Sequence, residues 1–325
     1  ALAGSLVSIS AHAAEMSVNG ATMLTYTSED GTEVTGNPFG MKTNLAFTAS
    51  GEVNGYNVSY YQASQDQFAG MSSARLSVDM GDMGTIAFDQ GSGSGLATID
   101  DKTPTAAEEI WDGLDVTTSG RVGAAGSSGV FNYVKSFEGV TFNGAARKGS
   151  GTSNSDGASS GVGQGAWDFA LTADGSSMGV DGLAIGAGYG EAENGSEAST
   201  TGGDNAHTTA FANYSVGPVT FGAQMSYEHN NTTGTRDEET TAWGLAFNVN
   251  ENLSISYGER DVVFRGQGSG DITEKGDGIA VAYTMGSMKI AGNMNDATNQ
   301  GGTTCLLYTS PSPRDAHESR MPSSA

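Results

Sequence analysis

From residue 16 onward one pattern recurs: about eight to twelve residues in which apolar and polar side chains alternate, then a turn. Met41, Leu45 and Phe47 alternate with Lys42, Asn44, Ala46 and Thr48. Val219, Phe221, Ala223, Met225 and Tyr227 alternate with Thr220, Gly222, Gln224, Ser226 and Glu228. The same period runs through Ala74–Met80, Trp243–Val249, Leu253–Tyr257 and Ile279–Met285. A period of two puts every apolar side chain on one face of an extended strand and cannot do so on a helix. Counting such segments gives about fifteen strands. They start near Met16, Met41, Tyr56, Ser73, Thr85, Val130, Val140, Ala166, Leu183, Thr208, Val219, Thr240, Leu253, Asp277 and Met288.

The connections alternate as well. Short turns fall at 52–55, 81–84, 138–139, 217–218, 250–252 and 286–287, with a slightly longer one at 175–182. Between them lie longer polar loops at 28–40, 65–72, 91–127, 149–165, 193–205, 230–238 and 264–276. Short and long in strict turn is the mark of upright antiparallel hairpins, trimmed at one end and elaborated at the other.

The composition decides what the apolar faces meet. Of 325 residues 49 are Gly and only 37% are hydrophobic, and the mean hydropathy is -0.29. No run approaches the roughly 18 apolar residues of a membrane helix. Regularly spaced aromatics (11 Tyr, 12 Phe and 3 Trp) argue against disorder. The apolar faces are too numerous, and the polar faces too small and too charged, for a soluble sandwich. Apolar faces turned to lipid, polar faces lining water and a closed sheet satisfy every strand. The fold class expected is therefore all-β, a transmembrane antiparallel β-barrel. Tyr26, Tyr56, Tyr133, Trp167, Tyr189, Trp243 and Tyr257 fall toward strand ends, as interfacial girdles do. A net charge of -23 and a pI near 4.2 exclude nucleic acid as a partner.

Both ends of the chain differ in style from the rest. Residues 1–13 read as a partial signal peptide: a short apolar or small stretch, then Ala11-His12-Ala13 as an A-x-A cleavage pattern, with Ala14 opening the mature protein. Residues 305–325, CLLYTSPSPRDAHESRMPSSA, hold the only cysteine and three of the six prolines, without period-two alternation. Residues 305–315 resemble the in-frame translation of a sequencing adapter and 319–325 the primer that follows it. The tail reads as non-native, the barrel as 14–304, and the sixteenth strand as absent.

The longest loop, 91–127, mixes acids with apolar anchors. Asp100, Asp101, Glu108, Glu109, Asp112 and Asp115 stand among Leu96, Ile99, Ile110, Trp111 and Leu114. A loop folded inward against the barrel wall would use those anchors and turn its carboxylates to the lumen. Strand parity places Lys42, Arg75 and Arg147 on the polar face, and Arg121 lies on the way back from the loop. Cations on the wall opposite carboxylates on the loop would screen solutes by size and charge.

Three stretches carry a family resemblance: AEMSVNGATM at 14–23, SARLSVDMGDMGTIAFDQGSGSG at 73–95 and VGPVTFGAQMSY at 216–227. With the order of strands and the long third loop, they resemble the general diffusion porins of Gram-negative outer membranes, in their alphaproteobacterial style. The resemblance implies sixteen strands, a homotrimer in outer-membrane lipid, an inward acidic third loop, and a basic wall matched by Lys42 and Arg75. It is also consistent with Ca2+ at Asp100 and Asp101. The second loop, DQFAGM, is short for one that latches onto a neighbour. Passive diffusion of small hydrophilic solutes and ions, with cation preference, is the activity expected. The alternatives are a substrate-specific porin and a secreted, acidic, β-rich surface protein or adhesin. No catalytic constellation is visible. There is no H-E-x-x-H, C-x-x-C or G-x-S-x-G at a strand–helix turn, and the glycines at 91, 93 and 95 lack a Walker lysine.

Overall fold

The computed structural model describes residues 15–27, 37–64, 72–110, 122–126, 128–149, 165–193, 204–231, 235–266, 270–302 and 308–309. The expected signal peptide lies outside them, as does the tail apart from residues 308 and 309. The strands are β1 (Glu15–Tyr26), β2 (Phe39–Val53), β3 (Tyr56–Ser64), β4 (Ser73–Asp79), β5 (Thr85–Gln90), β6 (Ser128–Phe137), β7 (Val140–Arg147) and β8 (Ala166–Asp174). They continue as β9 (Leu183–Ala192), β10 (Asn205–Val216), β11 (Val219–His229), β12 (Asp237–Asn248), β13 (Leu253–Arg265), β14 (Ile272–Met285), β15 (Met288–Thr298) and β16 (Tyr308–Thr309). All lie in one antiparallel sheet, each strand hydrogen-bonded to the next in chain order.

Fifteen strands of six residues or more are present, as expected, and the two-residue β16 adds only a short pairing, Tyr308 with Ala297 and Thr309 with Asp296. A ladder needs only backbone donors and acceptors, so it forms here without any hydrophobic alternation.

The short turns follow from local chemistry. Asn54 and Gly55 have φ of 52° and 85°, and Glu138 and Gly139 have 45° and 87°. Two successive positive φ values match the right-handed twist of the flanking strands, which is why two residues suffice to reverse the chain.

Register keeps the two faces separate across strands. Phe221 stands opposite Leu245, Leu245 opposite Tyr257, Tyr257 opposite Ile279 and Ile279 opposite Met294. This face is bare: Leu24 is 74% exposed, Phe131 60%, Phe221 50% and Ile290 57%. So wide an apolar surface suits lipid and is untenable in water. Rings pair along it, Trp243 with Tyr257 at 5.5 Å and Trp167 with Tyr189 at 5.8 Å. The opposite face carries Gln224, Ala242, Arg260 and Gly276 in consecutive register. No helix among the described residues is long and apolar enough to cross a membrane, which says nothing of strands.

Candidate functional site

The polar face is crossed by the long loop that follows β5. Its outgoing limb is pinned at once. Arg75 on β4 forms an ion pair with Asp89 on β5 at 3.7 Å and donates to Gly93 O at 3.2 Å, to Ser94 Oγ at 3.3 Å and to Asn132 Oδ1. Asp89, with no exposure, accepts from Ser94 Oγ at 2.7 Å and from Ser92 N at 3.0 Å. A 3-10 turn, Gly95–Ile99, follows. Its Leu96 and Ile99 are sealed against Val122 on the returning limb and Ala170 on β8, with Phe211 of β10 at the edge. Burying two such side chains contributes about 1.5–3 kcal/mol each. These are two of the anchors expected from the sequence.

The limb then runs along the wall, bonded strand by strand. Asn143 of β7 accepts from Gly95 N at 2.9 Å. Gln224 of β11 donates to Ile99 O at 2.8 Å and accepts from Lys102 N at 2.7 Å, while Asn213 of β10 donates to Lys102 O at 2.7 Å. Ser256 of β13 accepts from Ala106 N at 2.8 Å, and Asn295 of β15 donates to Glu109 O at 3.3 Å.

The seat for this limb is a row of glycines in register: Gly222 opposite Gly244, Gly244 opposite Gly258, Gly258 opposite Gly278. Each lacks the side chain that would obstruct the loop. A Cβ at Gly222 would stand 2.6 Å from Pro104 Cδ, and one at Gly244 2.5 Å from Pro104 O. Cβ atoms at Gly258 and Gly278 would meet Ile110 Cγ2 at 3.2 and 3.4 Å. Sequence reading treated mid-strand glycine as composition. The usable signal was parity, because all four fall on polar-face positions of four consecutive strands.

Of the expected loop acids, Asp100, Asp101 and Glu109 lie half-buried along this path and Glu108 is exposed. Asp112, Asp115 and Arg121 lie outside the described residues. Among the described residues no group of three or more His, Cys, Asp or Glu is disposed to hold a metal ion. Arg147 is at the loop's return, its guanidinium carbon 4.0 Å from where a Gly126 Cβ would be. Lys42 and Arg75 share the polar face without standing side by side. Arg75 is in register with Thr48 through Tyr61, and Lys42 is six residues further along β2, about 20 Å at the rise of a strand. A cation the sequence reading passed over is Arg260 of β13. It is 5% exposed, bonded to Glu274 of β14 at 3.2 Å and within Coulombic reach of Asp101. Its parity with Ser256 and Gly258 would have placed it on the loop-bearing face.

A sheet that is apolar on one side and crossed on the other by a seated acidic loop defines a membrane-spanning β-barrel channel. Solved structures similar to the chain are outer-membrane proteins, porins among them. The trimer form of in-vitro folded OmpT of Vibrio cholerae is 12% identical, with a TM-score of 0.62 over 93% of this chain and 96% of that one. Salmonella typhi OmpF in complex with daunomycin is 12% identical, with a TM-score of 0.63 over 91% and 95%. A mutant of Rh. blastica porin is 14% identical, with a TM-score of 0.60 over 91% and 96%. No curated protein sequence matches the chain. The Gram-negative porin family matches residues 1–302, and the chain belongs to that family. It is an outer-membrane protein and a channel for passive diffusion.

Proposed function

We propose that the loop and the wall facing it form a water-filled constriction that passes small hydrophilic solutes and prefers cations. The observation that carries this is the charge arrangement. Asp100, Asp101, Glu108 and Glu109 lie on a limb laid across the polar wall, while wall arginines Arg75 and Arg260 already face the wall carboxylates Asp89 and Glu274. The charge of these two arginines is therefore countered within the wall, and the loop adds four acids to the opening. In a narrow passage with low-dielectric walls such a field concentrates counter-ions. A net charge of -23 acts in the same direction. The proposal includes a homotrimer in outer-membrane lipid, supported by the trimer form of the Vibrio cholerae protein.

The test is the reversal potential of the channel in a planar bilayer under a salt gradient. Wild type is expected to reverse on the cation side of zero. The combined variant Asp100→Asn, Asp101→Asn, Glu108→Gln, Glu109→Gln should move the potential toward zero. An unchanged potential overturns the role of the loop acids. Conductance that saturates and is blocked by one nutrient would instead indicate a substrate-specific pore.

A further inference from the structure

We propose that Asp168 is the positioning residue of the constriction, a clasp that ties the outgoing and returning limbs of the loop to one point on β8. The proposal rests on the channel reading above and concerns what keeps its narrow part still.

Asp168 lies on the polar face of β8 and is 3% exposed. Its Oδ1 accepts from Leu96 N at 3.0 Å and its Oδ2 from Ala125 N at 2.8 Å. Leu96 belongs to the outgoing limb and Ala125 to the returning one, so one carboxylate spends one oxygen on each. Hydrogen bonds to an ionised acceptor are stronger than neutral ones, and here water has little room to replace them. One side of the clasp is closed by the buried cluster of Leu96, Ile99, Val122 and Ala170, and another by Ala125, Val130 and Ala145.

The surroundings are cut to fit. Gly95 has a φ of 58°, and a Cβ there would lie 1.8 Å from Asp168 Oδ1. A Cβ at Gly190 of β9 would lie 2.3 Å from Asp168 Cβ and 2.9 Å from Ala124 Cβ. Two missing side chains thus let both limbs and the wall converge on the carboxylate. Arg147 of β7 stands close enough to attract it. A loop fixed at its base by both limbs samples fewer conformations than one fixed only by its flanking strands. Because this loop stands in the current path, its excursions are readable as current noise.

The test uses the full chain, with Cys305→Ser throughout. Wild-type single channels should show a quiet open level. Asp168→Ala should raise open-channel current variance several-fold while keeping the heat-modifiable mobility of a folded barrel. Asp168→Asn, which keeps one acceptor oxygen, should fall between. The Cβ of Ala97 and a Cβ built at Gly123 are 3.5 Å apart, within the range a disulfide spans. Adding Ala97→Cys and Gly123→Cys to Asp168→Ala links the two limbs covalently. Oxidation should return the variance to the wild-type level, and dithiothreitol should raise it again. Folded Asp168→Ala channels as quiet as wild type, or noise untouched by the crosslink, overturn the proposal. A second readout does not depend on conduction: the 97–123 disulfide should form several-fold faster with Asp168 present than in Asp168→Ala. Equal rates refute the clasp even if the protein passes no current, a result that would count separately against the channel reading.

Discussion

The glycine seat can be tested by adding one carbon. A Cβ at Gly244 would stand 2.5 Å from Pro104 O, which is 0.9 Å inside the 3.4 Å at which ordinary contact begins. The obstructing atom is backbone, so no rotamer change relieves the clash. If the loop stays in place, overpacking of this kind costs about 1–3 kcal/mol. On either side of Pro104 the loop is held by three hydrogen bonds, from Lys102 N to Gln224, from Asn213 to Lys102 O and from Ala106 N to Ser256, each contributing about 0.5–1.5 kcal/mol net. The clash and the tethers are therefore comparable, and the limb should lift off the wall by about the 0.9 Å of the overlap, into the passage. Gly244→Ala should lower single-channel conductance, and Gly244→Val should lower it further. Gly292→Ala serves as control, because nothing lies within 4 Å of its Cβ position on β15. The assay is planar-bilayer conductance at fixed salt, with folding confirmed by mobility in unheated gels. Folded Gly244→Ala channels that conduct like wild type and Gly292→Ala would refute the idea that glycine at this position sets how close the loop lies.

Two further predictions concern the wall arginines. Arg260 and Glu274 are each 5% exposed in their side chains, so Arg260→Met leaves a buried carboxylate without its cation and should cost about 3–5 kcal/mol. The temperature at which the folded gel band is lost should drop, and Arg260→Met combined with Glu274→Leu should recover most of the drop. Arg75→Met strands Asp89 in the same way, but Arg75 keeps 22% of its side-chain exposure, so screening by water makes the loss smaller. Its thermal shift should be below that of Arg260→Met and accompanied by a change in conductance, since Arg75 also holds Gly93 and Ser94.

Much of the fold was legible because membrane strands must alternate. Strand starts expected at Tyr56, Ser73, Thr85, Val140, Ala166, Leu183, Val219, Leu253 and Met288 are the observed ones. Where the expectation missed, it began late: by one or two residues at β1, β2 and β6, and by more at β10, which starts at Asn205 rather than Thr208, β12, at Asp237 rather than Thr240, and β14, at Ile272 rather than Asp277. The three largest misses are at strands that follow long loops. There the ladder continues beyond the apolar zone, so backbone pairing persists while hydrophobic contrast fades. Leu96 and Ile99 were readable as anchors, since apolar residues in a polar loop need cover. Lys42 was readable as to face but not as to position along the wall, because parity fixes the side of a sheet and only register fixes the level. Asp89, Asp168 and Arg260 were hidden for another reason. A charge on the polar face looks the same in sequence whether it faces water or a loop folded back over it.

The path of the loop also bears on how the barrel is assembled. Its tethers span separations of 48 residues at Asn143, 150 at Ser256 and 186 at Asn295. Contacts so distant along the chain form late, after the cost of closing long segments has been met. Tethers come from β7, β8, β10, β11, β13 and β15 as each joins the sheet, and the bond from Asn295 waits for β15. The seating of the loop is thus coupled to the assembly of the sheet, because its most distant tether joins Glu109 to a strand 186 residues further along the chain.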